Sequence, residues 1–249
     1  MRKLVLIGLT VTAVFAIAAV AIAQYALPTM TVETAITPAK GGTKKKPKNA
    51  LVHTVFRVNA DSNSTLKRIE YAIPSKIKLD GTGFKTCSVQ TIAAKGESAC
   101  PKGSRVGTGA ATALLGPQKS PLNFSVNVYA AGKKSLTLYL VTSLFTLPIP
   151  ATITADNKVV FDIPDRVQQP VPGLYSYVTS VTADLGKQPG IKASVKTGKG
   201  KKRKTRYFAS LRGCSGKKHT LGVTAFLADN PNPPKQPSIS GTGTSACKK

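Results

Sequence analysis

From residue 51 to the C-terminus, apolar and polar side chains alternate with a period of two, the spacing of strands that bury one face. Leu51, His53, Val55 and Arg57 alternate with Val52, Thr54, Phe56 and Val58, and the second set makes the better core face. A turn cluster follows at 59–64, then candidate strands at 66–73 and 76–79 and a turn at 80–83. Leu122, Phe124, Val126 and Val128 face one way, Asn123, Ser125 and Asn127 the other; residues 130–134 turn the chain, and Leu136, Leu138 and Leu140 alternate back as an antiparallel partner. Residues 152–155 and 159–163 form a second hairpin about Asp156 and Asn157, and strands are expected at 174–185, 191–195, 206–211, 221–227 and 238–246. Pro148, Pro150, Pro164, Pro170 and Pro172 are placed at strand ends, where a missing N–H costs least. No convincing helical period occurs after residue 51, although 88–95 suits one short turn of helix.

The N-terminus has a different character. Met1, Arg2 and Lys3 precede an uncharged, mostly apolar run at 4–23 that ends in Ala21-Ile22-Ala23, an A-x-A cleavage pattern, so residues 1–23 read as a secretory signal peptide. The alternative is an uncleaved anchor, since about 20 apolar residues span a ~30 Å hydrocarbon core. Residues 24–50 read as a disordered tether rich in Lys, Gly and Pro, including Lys44, Lys45 and Lys46. Residues 51–249 then form one domain, with two smaller domains as the alternative.

Export governs the reading of the cysteines. Four cysteines lie beyond the leader, an even number in an oxidising compartment, so two disulfides are expected. Of three possible connectivities the pairing of neighbours is preferred, Cys87 with Cys100 and Cys214 with Cys247, because each closes a local loop of ordinary size. Zinc sites favour short C-x(2–4)-C spacings, which do not occur, and neither metal nor cofactor is expected.

Around the first pair the chain reads Cys87, twelve residues, then Cys100, Pro101, Ser104, Val106, Gly107, Gly109 and Ala111. This segment resembles a group of secreted β-rich proteins of actinobacterial type, in which a late cysteine pair, matched by Cys214 and Cys247, closes the C-terminal strands. The resemblance covers about residue 51 onward and implies a fold but no active site. The basic insert between Lys196 and Arg206 is not part of it.

Composition agrees with a turn-rich β protein: no Trp, 17 Pro and 21 Gly in 249 residues. The expected fold is an all-β antiparallel sandwich of jelly-roll or immunoglobulin-like kind, with a barrel as the alternative. Charge changes the functional picture most. Without residues 1–23 the chain carries 34 basic and 10 acidic side chains. Lys192, Lys196, Lys199, Lys201, Lys202, Arg203, Lys204 and Arg206 crowd into fifteen residues that contain no acid, a stretch expected to be a hairpin loop at 196–206. Outside the cytoplasm such a patch meets cell-wall phosphate polymers, acidic glycans, anionic lipid or released DNA, and its binding is salt-sensitive and reads no bases. Tyr207 and Phe208 alternate into the next strand, one to the core and one to the surface.

Catalytic signals are sparse. His53 and His219 are the two histidines, and neither sits in an H-E-x-x-H or Gly-x-Ser-x-Gly context. Asp162 and Asp165 flank Pro164 in a turn, and neither Gly107-Thr-Gly109 nor Gly241-Thr-Gly243 has the third glycine of a phosphate-binding loop. The expectation is therefore a secreted, monomeric, non-catalytic structural or binding protein of the cell envelope. Its anion-binding residues are Lys44, Lys45, Lys46, Lys196, Lys199, Lys201, Lys202, Arg203, Lys204 and Arg206. Its partners are anionic wall polymers or acidic glycans, with no specific nucleic acid and a membrane only through residues 4–23. The alternatives are a secreted hydrolase using His53 or His219 and an envelope protein anchored by the uncleaved leader.

Overall fold

The computed structural model describes residues 27–198, 200, 203–228 and 238–248. The expected leader and anchor at 4–23 lie outside them, as do Lys199, Lys201 and Lys202. Among the described residues no helix is long and apolar enough to cross a membrane.

Strands dominate. In chain order they are β1 (Met30–Thr37), β2 (Lys48–Asn49), β3 (Leu51–Val58), β4 (Leu66–Ala72) and β5 (Ile77–Leu79), then a short helix α1 (Val89–Lys95). There follow β6 (Arg105–Leu115), β7 (Ser120–Ala130), β8 (Ser135–Val141), β9 (Thr146–Ile153) and β10 (Lys158–Asp162), with a single helical turn α2 (Asp165–Gln168). The chain ends with β11 (Ser176–Gly186), β12 (Ser194–Thr197), β13 (Lys204–Tyr207), β14 (Ala209–Leu211), β15 (Lys218–Leu227) and β16 (Ser238–Ala246).

Eleven of these strands make one antiparallel sheet in the order β1-β3-β11-β6-β7-β8-β9-β10-β4-β15-β16. Strands β2, β14 and β5 form a small second sheet, and β12 pairs with β13. The large sheet rolls until its first and last strands meet. The Ile36 N–H donates to Ser245 Oγ at 2.9 Å, and just beyond the strands Gly41 N–H donates to the Lys248 carbonyl and Lys248 N–H to that of Ala39. Glycines permit the approach: a Cβ on Gly241 would stand 2.8 Å from Val32 Cγ2, and one on Gly243 only 2.5 Å from Thr34 Oγ1. The architecture is thus a nearly closed, barrel-like sheet and not the two-sheet sandwich expected. Alternation could not separate the two, because each buries one face of every strand.

Inward-facing residues follow the pattern read from the chain. Val52, Phe56 and Val58 are buried, opposite Leu185 and Val181 of β11, while Arg57 points out. The core continues through Leu122, Phe124, Leu136, Ile149, Ile153, Val159, Ile69, Tyr71, Val223 and Ile239. The hairpin at 154–157 turns on Asn157, whose φ of +67° is one that Asn tolerates and whose amide donates to the carbonyls of Ile73 and Ile77. Pro148 and Pro150 sit inside β9 and not at its end. They are tolerated because β10 pairs with β9 only at Thr152 and Ile153, so the missing N–H groups interrupt no ladder on that side.

Both disulfides form between sequence neighbours, Cys87–Cys100 and Cys214–Cys247. The first straps α1 to the outside of the barrel, where Ile92 packs with Cys87 and Tyr129. Helix α1 is the one compatible with 88–95, capped by Ser88 Oγ accepting from Thr91 N–H at 3.1 Å.

The stretch expected as a tether is ordered wherever it is described. Residues 30–37 form an edge of the barrel, and β2 pairs with β14. Side-chain composition missed this because backbone contacts hold much of the segment. A Cβ on Gly42 would lie 2.7 Å from the carbonyl oxygens of Leu211 and Lys46, so the chain passes where only glycine fits, and Ala50 N–H donates to the Ala209 carbonyl.

Candidate functional site: a basic groove beside a lysine hairpin

A hairpin is present, but its strands reach into the stretch expected as loop: residues 196–197 and 204–206 are paired, not looped. Strand β12 pairs with β13 in the register Ser194↔Tyr207 to Thr197↔Lys204, and Arg206 Nε donates to Thr197 Oγ1 at 3.3 Å. Gly83 seats it on the body of the protein, since a Cβ there would meet the Thr197 methyl at 2.7 Å. Tyr207 and Phe208 divide as alternation requires. Phe208 is fully buried edge-on against Phe84, and Tyr207 remains half-exposed.

Tyr207 opens onto a surface groove of about 660 Å³ that it shares with Pro38, Lys48, Asn49, Lys187 and Gln188. Asn49 bridges β2 to the hairpin region, its amide donating to the Lys192 carbonyl at 2.8 Å, while its Oδ1 is buried without a partner among the described residues. The segment that carries Lys44, Lys45 and Lys46 leads through Pro47 into Lys48 on the groove wall. Lys44, Lys45 and Lys46 are exposed on a turn closed by the Thr43 N–H donating to the Lys46 carbonyl and by Lys46 N–H donating to Thr43 Oγ1. The groove therefore links two basic segments that are about 150 residues apart in sequence.

Acidic partners lie elsewhere. Glu33 pairs with Arg57, Glu70 with Arg68 and Lys158, Asp80 with Lys78, and Asp61 with Lys119. Among the described residues no carboxylate pairs with Lys44, Lys45, Lys46, Lys187, Lys192, Lys196, Arg203, Lys204 or Arg206. Lys196, Arg203, Lys204 and Arg206 are all exposed.

Neither histidine belongs to this groove. His53 lies on the outer face of β3 with Nδ1 2.7 Å from Asp184 Oδ1 on β11, a pairing invisible in sequence because the two residues are 131 apart. Among the described residues no hydroxyl is hydrogen-bonded to the other ring nitrogen. Asp165 begins α2, and Asp162 lies 3.9 Å from Arg68.

His219 is buried on β15 beside the second disulfide, with both ring nitrogens unpartnered among the described residues. One of its ring nitrogens and the sulfurs of Cys214 and Cys247 lie within 4.8 Å of one another, a grouping that the Cys-x4-His spacing foreshadows and that sequence reading passed over. The sulfurs are joined to each other, so the cluster offers no thiolate while the bond is intact. Burial alone lowers the His219 pKa, disfavouring the charged ring.

No protein-family model matches the chain, and no curated protein or solved structure shows significant similarity to it.

Proposed function

We propose that this chain is an exported, non-catalytic binding or structural component of the cell envelope, held to anionic wall polymers or acidic glycans by one basic face. That face comprises the Lys44–Lys46 turn, the groove between Lys48, Lys187 and Tyr207, and the β12–β13 hairpin. The observation that carries the reading is the segregation of charge. Among the described residues no acid makes an ion pair with these side chains, so their charge is not neutralised by direct contact and favours a polyanion. The two disulfides suit an oxidising compartment.

Binding of the purified chain to an anionic phosphate polymer and to an acidic polysaccharide, measured from low to high salt, tests it. Affinity should fall steeply and log-linearly with salt. It should fall further when Lys196, Lys204 and Arg206 are changed to Glu together. Binding that ignores both salt and charge reversal would overturn the proposal.

A further inference from the structure

The inside of the barrel is not filled. Strand β6 turns Gly109 and Ala111 inward, and its neighbour β11 pairs Ala183 with Gly109 and Val181 with Ala111. Three adjacent inward positions thus carry a methyl group or less, where their counterparts on β7 carry Phe124 and Val126. The consequence is a cavity of about 110 Å³ bounded by Gly109, Ala111, Ala183, Phe124, Val126 and Tyr71, among others. Ala111, Val126, Phe161, Val178, Val181 and Ala183 all face the core yet are only partly buried. An inward apolar side chain with residual accessible surface borders empty space and forfeits dispersion contacts on that side.

The lining is almost wholly apolar and includes no charged side chain. The Ser176 hydroxyl, one of its few polar groups, is already committed to the Val167 carbonyl at 2.6 Å. A water molecule needs two to four polar partners, so a cavity of this kind stays dry, and dry cavities of similar size accept single-ring apolar molecules. Gly109 cannot be filled by mutation at no cost, since a Cβ there would stand 2.7 Å from the Thr182 carbonyl; the emptiness is built into the backbone spacing of β6 and β11. One end of the cavity is bordered by α2, where Val167 and Ile163 line it. That cap is held by the Ser176 bond and by Gln168 Nε2 donating to the Ile163 carbonyl at 2.7 Å. Arg166 lies over the Phe145 ring at 5.1 Å, which brings the turn bearing Leu144 beside the cap; Leu144 and, after the cap, Val171 are exposed apolar side chains.

We infer that the barrel interior is a binding site for a small, uncharged apolar ligand the size of one six-membered ring or a short alkyl chain. It is independent of the basic face and takes a different class of ligand.

Benzene is the probe, with benzoate as its charged counterpart, applied to the purified full chain. Saturating benzene should raise the thermal midpoint by about 3 °C and shift methyl resonances of Val126, Val181 and Leu138, while benzoate does neither. Ala183→Val and, separately, Ala111→Val should each weaken benzene binding at least tenfold. If one variant does not fold, the other reads the same volume. A folded wild-type chain whose midpoint and methyl resonances ignore benzene would overturn the inference, as would shifts confined to surface residues or undiminished by both variants.

Discussion

Gly243 of β16 and Thr34 of β1 meet where the two ends of the rolled sheet come together, and a Cβ on the glycine would stand 2.5 Å from Thr34 Oγ1 and 3.0 Å from its backbone nitrogen. Closure of the barrel depends on that missing side chain, because the obstructing atoms include backbone that cannot rotate away. Gly243→Ala should therefore lower stability by about 1–3 kcal/mol in urea unfolding. Gly222→Ala is the control, since its Cβ would meet Ala72 Cβ at an ordinary 3.4 Å and should cost little.

His219 sets a pH dependence. Burial lowers its folded pKa below the ordinary 6.5, so the unfolded chain binds the proton more readily. Its contribution to stability is present above about pH 6.5 and is lost as pH falls below that value toward the folded pKa. Unfolding free energy measured from pH 8 to 5 should decline through this window. His219→Leu should flatten the decline and hold or raise stability at pH 7, because it removes two unpartnered buried nitrogens.

The disulfides should not be equivalent. Loop entropy scales with the enclosed chain, and the separations are 33 residues for Cys214–Cys247 and 13 for Cys87–Cys100. Replacing both cysteines by serine should cost about 3.7 kcal/mol for the first pair and about 2.9 for the second. The larger loss should come with faster amide exchange in β16, whose end the bond secures.

Charge reversal on the hairpin should separate folding from binding. Lys196, Lys204 and Arg206 are exposed and make no ion pair among the described residues, so changing all three to Glu should alter the unfolding free energy measured in urea by no more than about 0.5 kcal/mol per substitution. Weakened polyanion binding at unchanged stability would then be a property of the surface.

How far the chain could be read without coordinates varies by element. The alternation of Val52, Thr54, Phe56 and Val58 predicted both a strand and its buried face, and the same held for 122–128 with 136–140. Helix α1 and the β12–β13 hairpin were visible from their local signals. Residues 30–37 were not, because the short run MTVETAIT adjoins a lysine-rich stretch and takes its order from pairing with β3. The groove was equally hidden, since Lys48, Lys187 and Tyr207 belong to three distant segments.

By itself the amino-acid sequence determined that the chain would be antiparallel β, with neighbouring cysteines paired and a basic excess concentrated in one hairpin. These are consequences of side-chain period, loop size and charge, all of which act over a few residues. Only the tertiary structure decided that the sheet rolls on itself instead of splitting into two layers, that His53 finds Asp184, and that Gly109, Ala111 and Ala183 stand together to leave a void. Each of those depends on which strands become neighbours, and a period of two is the same whichever neighbour a strand acquires.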